Sequence, residues 1–333
     1  MRVNIRNFFT ILIIFITTIW LVYISLFVIN NPDKYNYLII MNTSTSFSLG
    51  IEPTVYFISS ISRTMSLITG FEPLVFFYFQ YIFLIQLFLI FSFLNFFKNS
   101  IVKSGLLLIF WLCTYGIMHC LIQIRFGLAS SIVVYIFSLI YLHKDSANNF
   151  FLKPLILGVV AIFTHYSVIF SIFTIFLQYL RFKINKKNSY LISHVGFLLI
   201  LIMFKLGELF NILPIFLMAR ISVYINNMDL EPVSDLARLV SFFCYFSLLL
   251  APNLKNKVLN DLRIYGSLSF LPYFIIPEME ILVRLGIPFQ YLLLSYLVLT
   301  YSYKKLLFFS TLPLLIFFSY KIYSGISAFI SYM

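Results

Sequence analysis

Four arginines at the ends of apolar segments are the side chains best suited to chemistry on a phosphate. A guanidinium beside hydrocarbon is costly unless it snorkels, pairs with an acid or faces a watery cavity. Arginine can also hold diphosphate oxygens through paired hydrogen bonds. We therefore expect a diphosphate-binding role for these residues: Arg125, Arg220, Arg238 and Arg284.

Two of these arginines also have a simpler explanation. Asp235 precedes Arg238 by three residues, and Glu280 precedes Arg284 by four, so each pair could neutralise its own charge on one helix. Arg125 has no acidic residue nearby in the sequence. A functional role is therefore favoured most for Arg125.

His165 interrupts an apolar stretch within Thr164-His165-Tyr166-Ser167. Because imidazole titrates near neutral pH, His165 could act as a general base or proton relay beside Arg125. A lone histidine between apolar runs is also commonly a hydrogen-bonded structural residue, so both roles stay open. Similarly, Lys205 and Glu208 are predicted to form a structural ion pair within one apolar helix, with coupled transport as the alternative.

The elements that position these residues must be transmembrane helices. The 333-residue chain is 62% apolar and 10% charged, whereas soluble domains carry about 25% charged residues. Strands of an outer-membrane barrel would alternate polar and apolar residues, and no such alternation occurs. Apolar runs lie near 8–29, 73–97, 104–119, 126–142, 190–213, 237–252, 285–302 and 306–330.

Shorter apolar runs at 264–276 and on both sides of His165 complete the prediction. We expect an all-α, polytopic transmembrane helical bundle of about ten or eleven spans, some short or broken, in a single integral membrane domain over residues 1–333. The span count depends on two regions, 53–70 and 150–180. The predicted topology requires residues 150–180 to cross the membrane twice, with His165 at the turn on the outer side.

The basic residues predict the orientation of the chain. With a cytoplasmic N-terminus, fifteen Lys and Arg fall inside and six outside, which fits the positive-inside rule for a cytoplasmic-type membrane. The net charge of +12 therefore reports topology, and we expect no nucleic-acid partner. No nucleotide-binding or metal-ligand motif is present in the sequence, so no cofactor and no metal are expected.

The centre of the chain resembles bacterial polysaccharide (O-antigen) polymerases of the Wzy and EpsG type. In EpsG-like chains a helix opens with a pattern near I-R-Q-x-x-A, and an F-H-x-S turn follows. The corresponding segments here are Ile124-Arg125-Phe126-Gly127-Leu128-Ala129 and Phe163-Thr164-His165-Tyr166-Ser167. Phe126 replaces the usual Gln, and Thr164 is inserted before His165. Asp33-Lys34-Tyr35-Asn36-Tyr37, Glu52-Pro53 and the late Arg284 are similar to further parts of that family.

The resemblance implies a membrane glycosyltransferase that joins undecaprenyl-diphosphate-linked repeat units on the outer side of the membrane. In that reaction Arg125, with Arg220, Arg238 and Arg284, would stabilise the departing diphosphate, and His165 would serve the acceptor hydroxyl. The product would be O-antigen, capsule or exopolysaccharide. Membrane lipids, a chain-length regulator and a flippase are the further partners expected.

Two other classes of protein share the need for cations at a membrane face. A lipid-linked oligosaccharide flippase or transporter would be expected to show two similar halves and charges deep in several helices, which this sequence lacks. A membrane acyltransferase or lipid–glycan ligase is the other class. A ligase would be expected to have a large outer loop, which this sequence lacks.

Overall fold

The computed structural model describes residues 5–28, 31–43, 52–97, 99–142, 152–182, 189–205, 232–252, 257–278, 280–300 and 308–332. These residues form helices and short connections, with no strand among them, so the predicted all-α class is confirmed for this part of the chain. The helices are α1 (Ile5–Phe27), α2 (Pro32–Thr43), α3 (Pro53–Thr69), α4 (Pro73–Phe96), α5 (Ile101–Trp111), α6 (Ile117–Leu121), α7 (Ile124–Leu142), α8 (Leu152–Thr164), α9 (Ile169–Phe182), α10 (Ser189–Lys205), α11 (Asp235–Leu250), α12 (Lys257–Leu268), α13 (Leu271–Ile275), α14 (Ile287–Thr300) and α15 (Phe308–Tyr332).

Four helical segments in the described ranges are long and apolar enough to cross a membrane: Pro73–Phe96, Ile101–Leu121, Val283–Thr300 and Thr311–Ser331. Ile101–Leu121 is α5 and α6 joined by a π-helical turn at Leu112–Gly116. Five more apolar helices are shorter, at 10–17 residues. The chain is thus a helical membrane protein. Among the described residues, four segments are long enough to cross a membrane, which is fewer than the ten or eleven predicted.

The apolar stretch around His165 is divided, as its sequence predicts. Helix α8 has 13 residues and α9 has 14, and a 3₁₀ turn at Tyr166–Val168 lies between them. Both helices are shorter than the roughly 20 residues of a straight span. The other doubtful region, near residue 60, forms the 17-residue helix α3, which begins with Pro53 at a favourable first-turn position.

The described contacts divide the chain into two compact units. The first unit comprises Met1–Leu142, Asn148–His165 and Ser319–Met333. The second comprises His143–Ala147 and Tyr166–Phe318, so helix α15 contributes residues to both. The predicted single membrane domain stays a prediction.

Helix α4 is the centre of the first unit. It packs against α1, α3, α5 and α7, and one of its faces is fully buried at Phe77, Tyr78, Tyr81 and Ile82. Buried polar groups reinforce this packing: the Gln86 amide donates to Thr18 Oγ1 at 3.0 Å and accepts from Thr17 Oγ1 at 2.6 Å. Because the lipid supplies no competing partners, such hydrogen bonds help hold membrane helices together.

Helices α12 and α14 pack closely in the second unit. A Cβ at Gly266 would overlap the Leu293 side chain, so a larger residue at position 266 would force Leu293 to move. Arg263 is a buried residue of α12. Its Nη1 donates to the carbonyl oxygens of Leu248 and Ala251 at the end of α11, where helix carbonyls lack internal partners.

Candidate functional site

Arg125 lies in a buried ion pair within the first unit. Its Nη1 is 2.6 Å from Glu52 Oε2, and the two side chains are 14% and 5% exposed. Arg125 is the second residue of α7, and Glu52 occupies the position before the first turn of α3, 73 residues away in the chain. The acid that the local sequence lacks is therefore supplied by a distant helix end, and Glu52 is the site residue that spacing alone did not identify.

Two tyrosines surround this ion pair. The Cζ atom of Arg125 lies 5.4 Å from the ring centroid of Tyr37, a cation–π distance. The hydroxyl of Tyr81, from α4, lies within electrostatic reach of both Arg125 and Glu52. Both tyrosines are fully buried. Burial raises the pKa of Tyr37 well above its ordinary value although Arg125 opposes the shift, so the phenol is neutral at physiological pH.

Asn31 and Lys34 tie the start of α2 to three neighbouring helices. Its side-chain amide donates to Leu121 O at 2.9 Å and to Tyr78 Oη at 3.2 Å. Lys34 Nζ donates to Leu26 O at 2.8 Å, which satisfies a carbonyl at the end of α1. The start of α2 is thereby fixed against α1, α4 and α6.

His165 belongs to a row of aromatic rings at the start of α7. Its ring meets Phe126 edge-on with centroids 5.1 Å apart, and Phe126 meets buried His119 at 5.4 Å. Tyr115 stacks on His119 at 5.7 Å. Phe126 therefore lies between the two histidine rings.

A hydrogen bond between helix ends brings the neighbourhood of His165 toward that of Glu52. Thr54, two residues after Glu52, donates from Oγ1 to Phe163 O at 2.9 Å. The structure thus gathers Arg125, Glu52 and His165 at adjacent helix ends of the first unit. Gly127 has no side chain, which allows α6 to approach α7 here. A Cβ at this position would lie 2.6 Å from the carbonyl oxygen of His119.

The structure describes two of the three other arginines predicted to bind diphosphate. Arg238 and Arg284 belong to the second unit, and Arg220 lies outside the described residues. Arg238 Nη1 pairs with Asp235 Oδ1 at 3.2 Å, as their helical spacing allows, and both side chains are exposed. Arg284 lies in the 3₁₀ segment Glu280–Gly286. Their predicted diphosphate role stays a prediction.

Lys205 pairs with Glu278 in the second unit. Its Nζ is 3.1 Å from Glu278 Oε1, and the side chains are 49% and 58% exposed. A hydrogen bond from the backbone N–H of Glu278 itself, followed by Lys205, lowers the pKa of the Glu278 carboxyl. The predicted partner Glu208 lies outside the described residues. An exposed pair of this kind contributes about 0.2–1 kcal/mol, so Lys205–Glu278 is a minor support of the fold.

Two further features bear on possible ligands. Within the described ranges, no three His, Cys, Asp or Glu side chains meet as a metal site would require. An open groove of about 550 Å³ in the second unit has an almost wholly apolar lining that includes Phe242, Phe243, Phe246, Leu250, Leu312 and Ile316.

Comparison with known proteins adds no relative: no family model, no curated protein and no solved structure matches the chain.

Proposed function

We propose that this chain is a membrane glycosyltransferase that polymerises undecaprenyl-diphosphate-linked oligosaccharide repeat units. The observation that carries the proposal is the meeting of Arg125, in the motif resembling the polymerases, with the helix end that bears His165. The two motifs are separated in the sequence, and a common site requires that they come together in space. The product of the proposed reaction is O-antigen, capsule or exopolysaccharide.

The proposed reaction is a displacement at the anomeric carbon of the lipid-linked donor. An acceptor hydroxyl oxygen forms the new glycosidic bond, the bond from the anomeric carbon to the diphosphate oxygen breaks, and the bonding electrons leave with the diphosphate. Arg125 stabilises the charge that develops on this leaving group. His165 accepts the proton that the acceptor hydroxyl loses.

The ion pair with Glu52 limits how Arg125 can stabilise the diphosphate. A buried Arg–Glu pair is locally neutral, so Arg125 stabilises an arriving diphosphate through directed N–H groups more than through net charge. Glu52 and the Tyr37 ring hold the guanidinium in one orientation. Fixed donors of this kind need no reorganisation during the reaction, which favours catalysis.

The proposal includes a membrane arrangement finer than the described helices provide. We place the chain in the bacterial inner membrane with about ten or eleven crossings, a cytoplasmic N-terminus and the Arg125 site outside. A chain-length regulator and a flippase are the proposed protein partners.

Reporter fusions test this arrangement. We expect alkaline phosphatase to be active when fused after residue 72, before α4, and inactive when fused after residue 98, because α4 is long enough to carry the chain across. Fluorescent protein fusions at the same two positions should give the reverse pattern. If phosphatase were active only after residue 98, the proposed orientation would be wrong.

The deciding experiment is a gel of surface glycan from cells with and without this gene. Polymerase function predicts that deletion removes the ladder of long chains and retains the single repeat unit. Loss of that single unit as well would identify a flippase or ligase instead. An unchanged ladder would exclude the polysaccharide role.

Substitution of His165 separates its two roles. If the imidazole moves a proton, His165→Ala and His165→Gln should both slow polymerisation by about 10²- to 10⁴-fold, the usual contribution of general acid–base catalysis. Glutamine retains hydrogen-bonding groups but cannot titrate near neutral pH. A full-length ladder in the His165→Gln strain, with loss only in His165→Ala, would show that the histidine is structural.

A further inference from the structure

Three buried polar atoms beside the Glu52–Arg125 ion pair have no hydrogen-bond partner within the described part of the chain. They are Tyr37 Oη, Tyr81 Oη and Arg125 Nε. Leaving a polar group buried and unsatisfied is unfavourable, and most such groups in folded proteins are paired. Three of them around one guanidinium therefore call for a specific explanation.

The three atoms belong to one neighbourhood. The Tyr37 ring lies 5.1 Å from Phe77, whose ring lies 4.9 Å from Tyr81 on the next turn of α4. Arg125 acts electrostatically on both tyrosine hydroxyls. Tyr37 Oη lies close to Arg125, and Tyr81 Oη lies close to Thr54, but neither contact has the geometry of a full hydrogen bond.

Tyr78 shows that burial alone does not produce such atoms. It lies on α4 between Phe77 and Tyr81 and is fully buried, but its hydroxyl accepts a hydrogen bond from Asn31. Glu52 likewise occupies Nη1 of Arg125 and leaves Nε unused.

The chemistry of these groups selects an acceptor oxygen. The Nε–H of arginine can only donate, and a neutral tyrosine hydroxyl can donate as well. Donors grouped beside a cation favour a negatively charged oxygen, as in a phosphate, because hydrogen bonds between charged groups are the strongest. Arg125 keeps 14% of its side chain exposed while both tyrosines are fully buried, so Arg125 is the member of this group that a ligand reaches first.

We infer that Arg125, Tyr37 and Tyr81 form a binding site for an anionic phosphate oxygen, with Glu52 holding the guanidinium in place. The inference rests on the proposed function for the identity of the natural ligand, a lipid-linked diphosphate. The binding site itself is defined by this chain's own donors. Tyr37 and Tyr81 are the new binding residues.

Inorganic pyrophosphate is the probe for this site. The full-length protein is purified in detergent, and its melting temperature is measured over a pyrophosphate titration, with sodium sulfate at equal ionic strength as the salt control. We expect pyrophosphate to raise the melting temperature more than sulfate does. An equal effect of the two salts would overturn the inference.

The double substitution Tyr37→Phe with Tyr81→Phe removes only the two hydroxyls and keeps both rings. Without pyrophosphate, this variant should melt at or above the wild-type temperature, because two unsatisfied buried groups are gone. Its apparent affinity for pyrophosphate should fall by roughly 10-fold or more for each hydroxyl. A purely structural role would not produce this combination of retained stability and lost binding.

Tyr78→Phe is the matched control, since it removes a hydroxyl that already has a partner in Asn31. We expect this variant to melt at a lower temperature and to bind pyrophosphate as wild type does. Unchanged affinity in the double variant, or equal loss in Tyr78→Phe, would overturn the inference. The glycan gel remains a separate test: an unchanged ladder after gene deletion would exclude the polymerase while these titrations still decide whether the site exists.

Discussion

Replacement of Arg125 by alanine should abolish the glycan ladder. Loss of one preorganised donor to a developing anion typically reduces a rate by about 10²- to 10³-fold, which would leave mainly single repeat units on the gel. The buried ion pair adds a second effect. Arg125→Ala breaks the buried ion pair with Glu52, whose side chain is 5% exposed, and breaking such a pair destabilises a protein by about 3–5 kcal/mol.

A variant that changes both partners separates catalysis from stability. Arg125→Gln combined with Glu52→Gln replaces the ion pair by two amides, which can still hydrogen-bond to each other and leave no lone buried charge. We expect this double variant to accumulate in the membrane at wild-type level and to lack the ladder. Its protein level is measured by immunoblot and its product by gel. A normal ladder in this strain would show that the cation at position 125 is dispensable.

Gly127→Ala should strongly destabilise the first unit. Its Cβ would lie 2.6 Å from the carbonyl oxygen of His119 and 2.9 Å from the His119 Cβ, and backbone cannot turn aside as a side chain can. Overpacking of this kind costs about 1–3 kcal/mol. It would also push α6 and α7 apart where Arg125 and Phe126 are held.

Gly105→Ala is the matched control for this prediction. Gly105 lies inside α5, and a Cβ there would meet no atom within 4 Å. Because alanine favours a helix over glycine by about 1 kcal/mol, the Gly105→Ala protein should melt at or above the wild-type temperature. Equal melting temperatures for the two variants would contradict the close approach of α6 to α7.

Much of the helical framework could be predicted from the sequence. Long apolar runs with few charges predict membrane helices, and α4 and the Ile101–Leu121 segment occur where those runs lie. The interruption at His165 also predicts the break between α8 and α9. Asp235 and Arg238 pair at their helical spacing. These features depend on neighbouring residues, whose hydropathy and spacing can be read directly.

The number of membrane spans could be predicted less well from the sequence. Hydropathy measures whether a segment prefers lipid, but it does not fix where a helix begins or ends. The run near 104–119 contains a π-helical turn, and the region of residues 150–180 forms helices of 13 and 14 residues. Each of these lengths depends on packing against neighbouring helices as well as on composition.

The sequence by itself therefore determined that the protein is a helical membrane protein, where its apolar helices lie, and two of its candidate residues, Arg125 and His165. Only the tertiary structure decided the partners of these two residues and of Lys205. Glu52 forms an ion pair with Arg125, Phe126 lies between His165 and His119, and Glu278 forms an ion pair with Lys205. The physical reason is range. Hydropathy and helical spacing act between consecutive residues, whereas a charge separated by 73 residues is brought into contact only by the packing of whole helices.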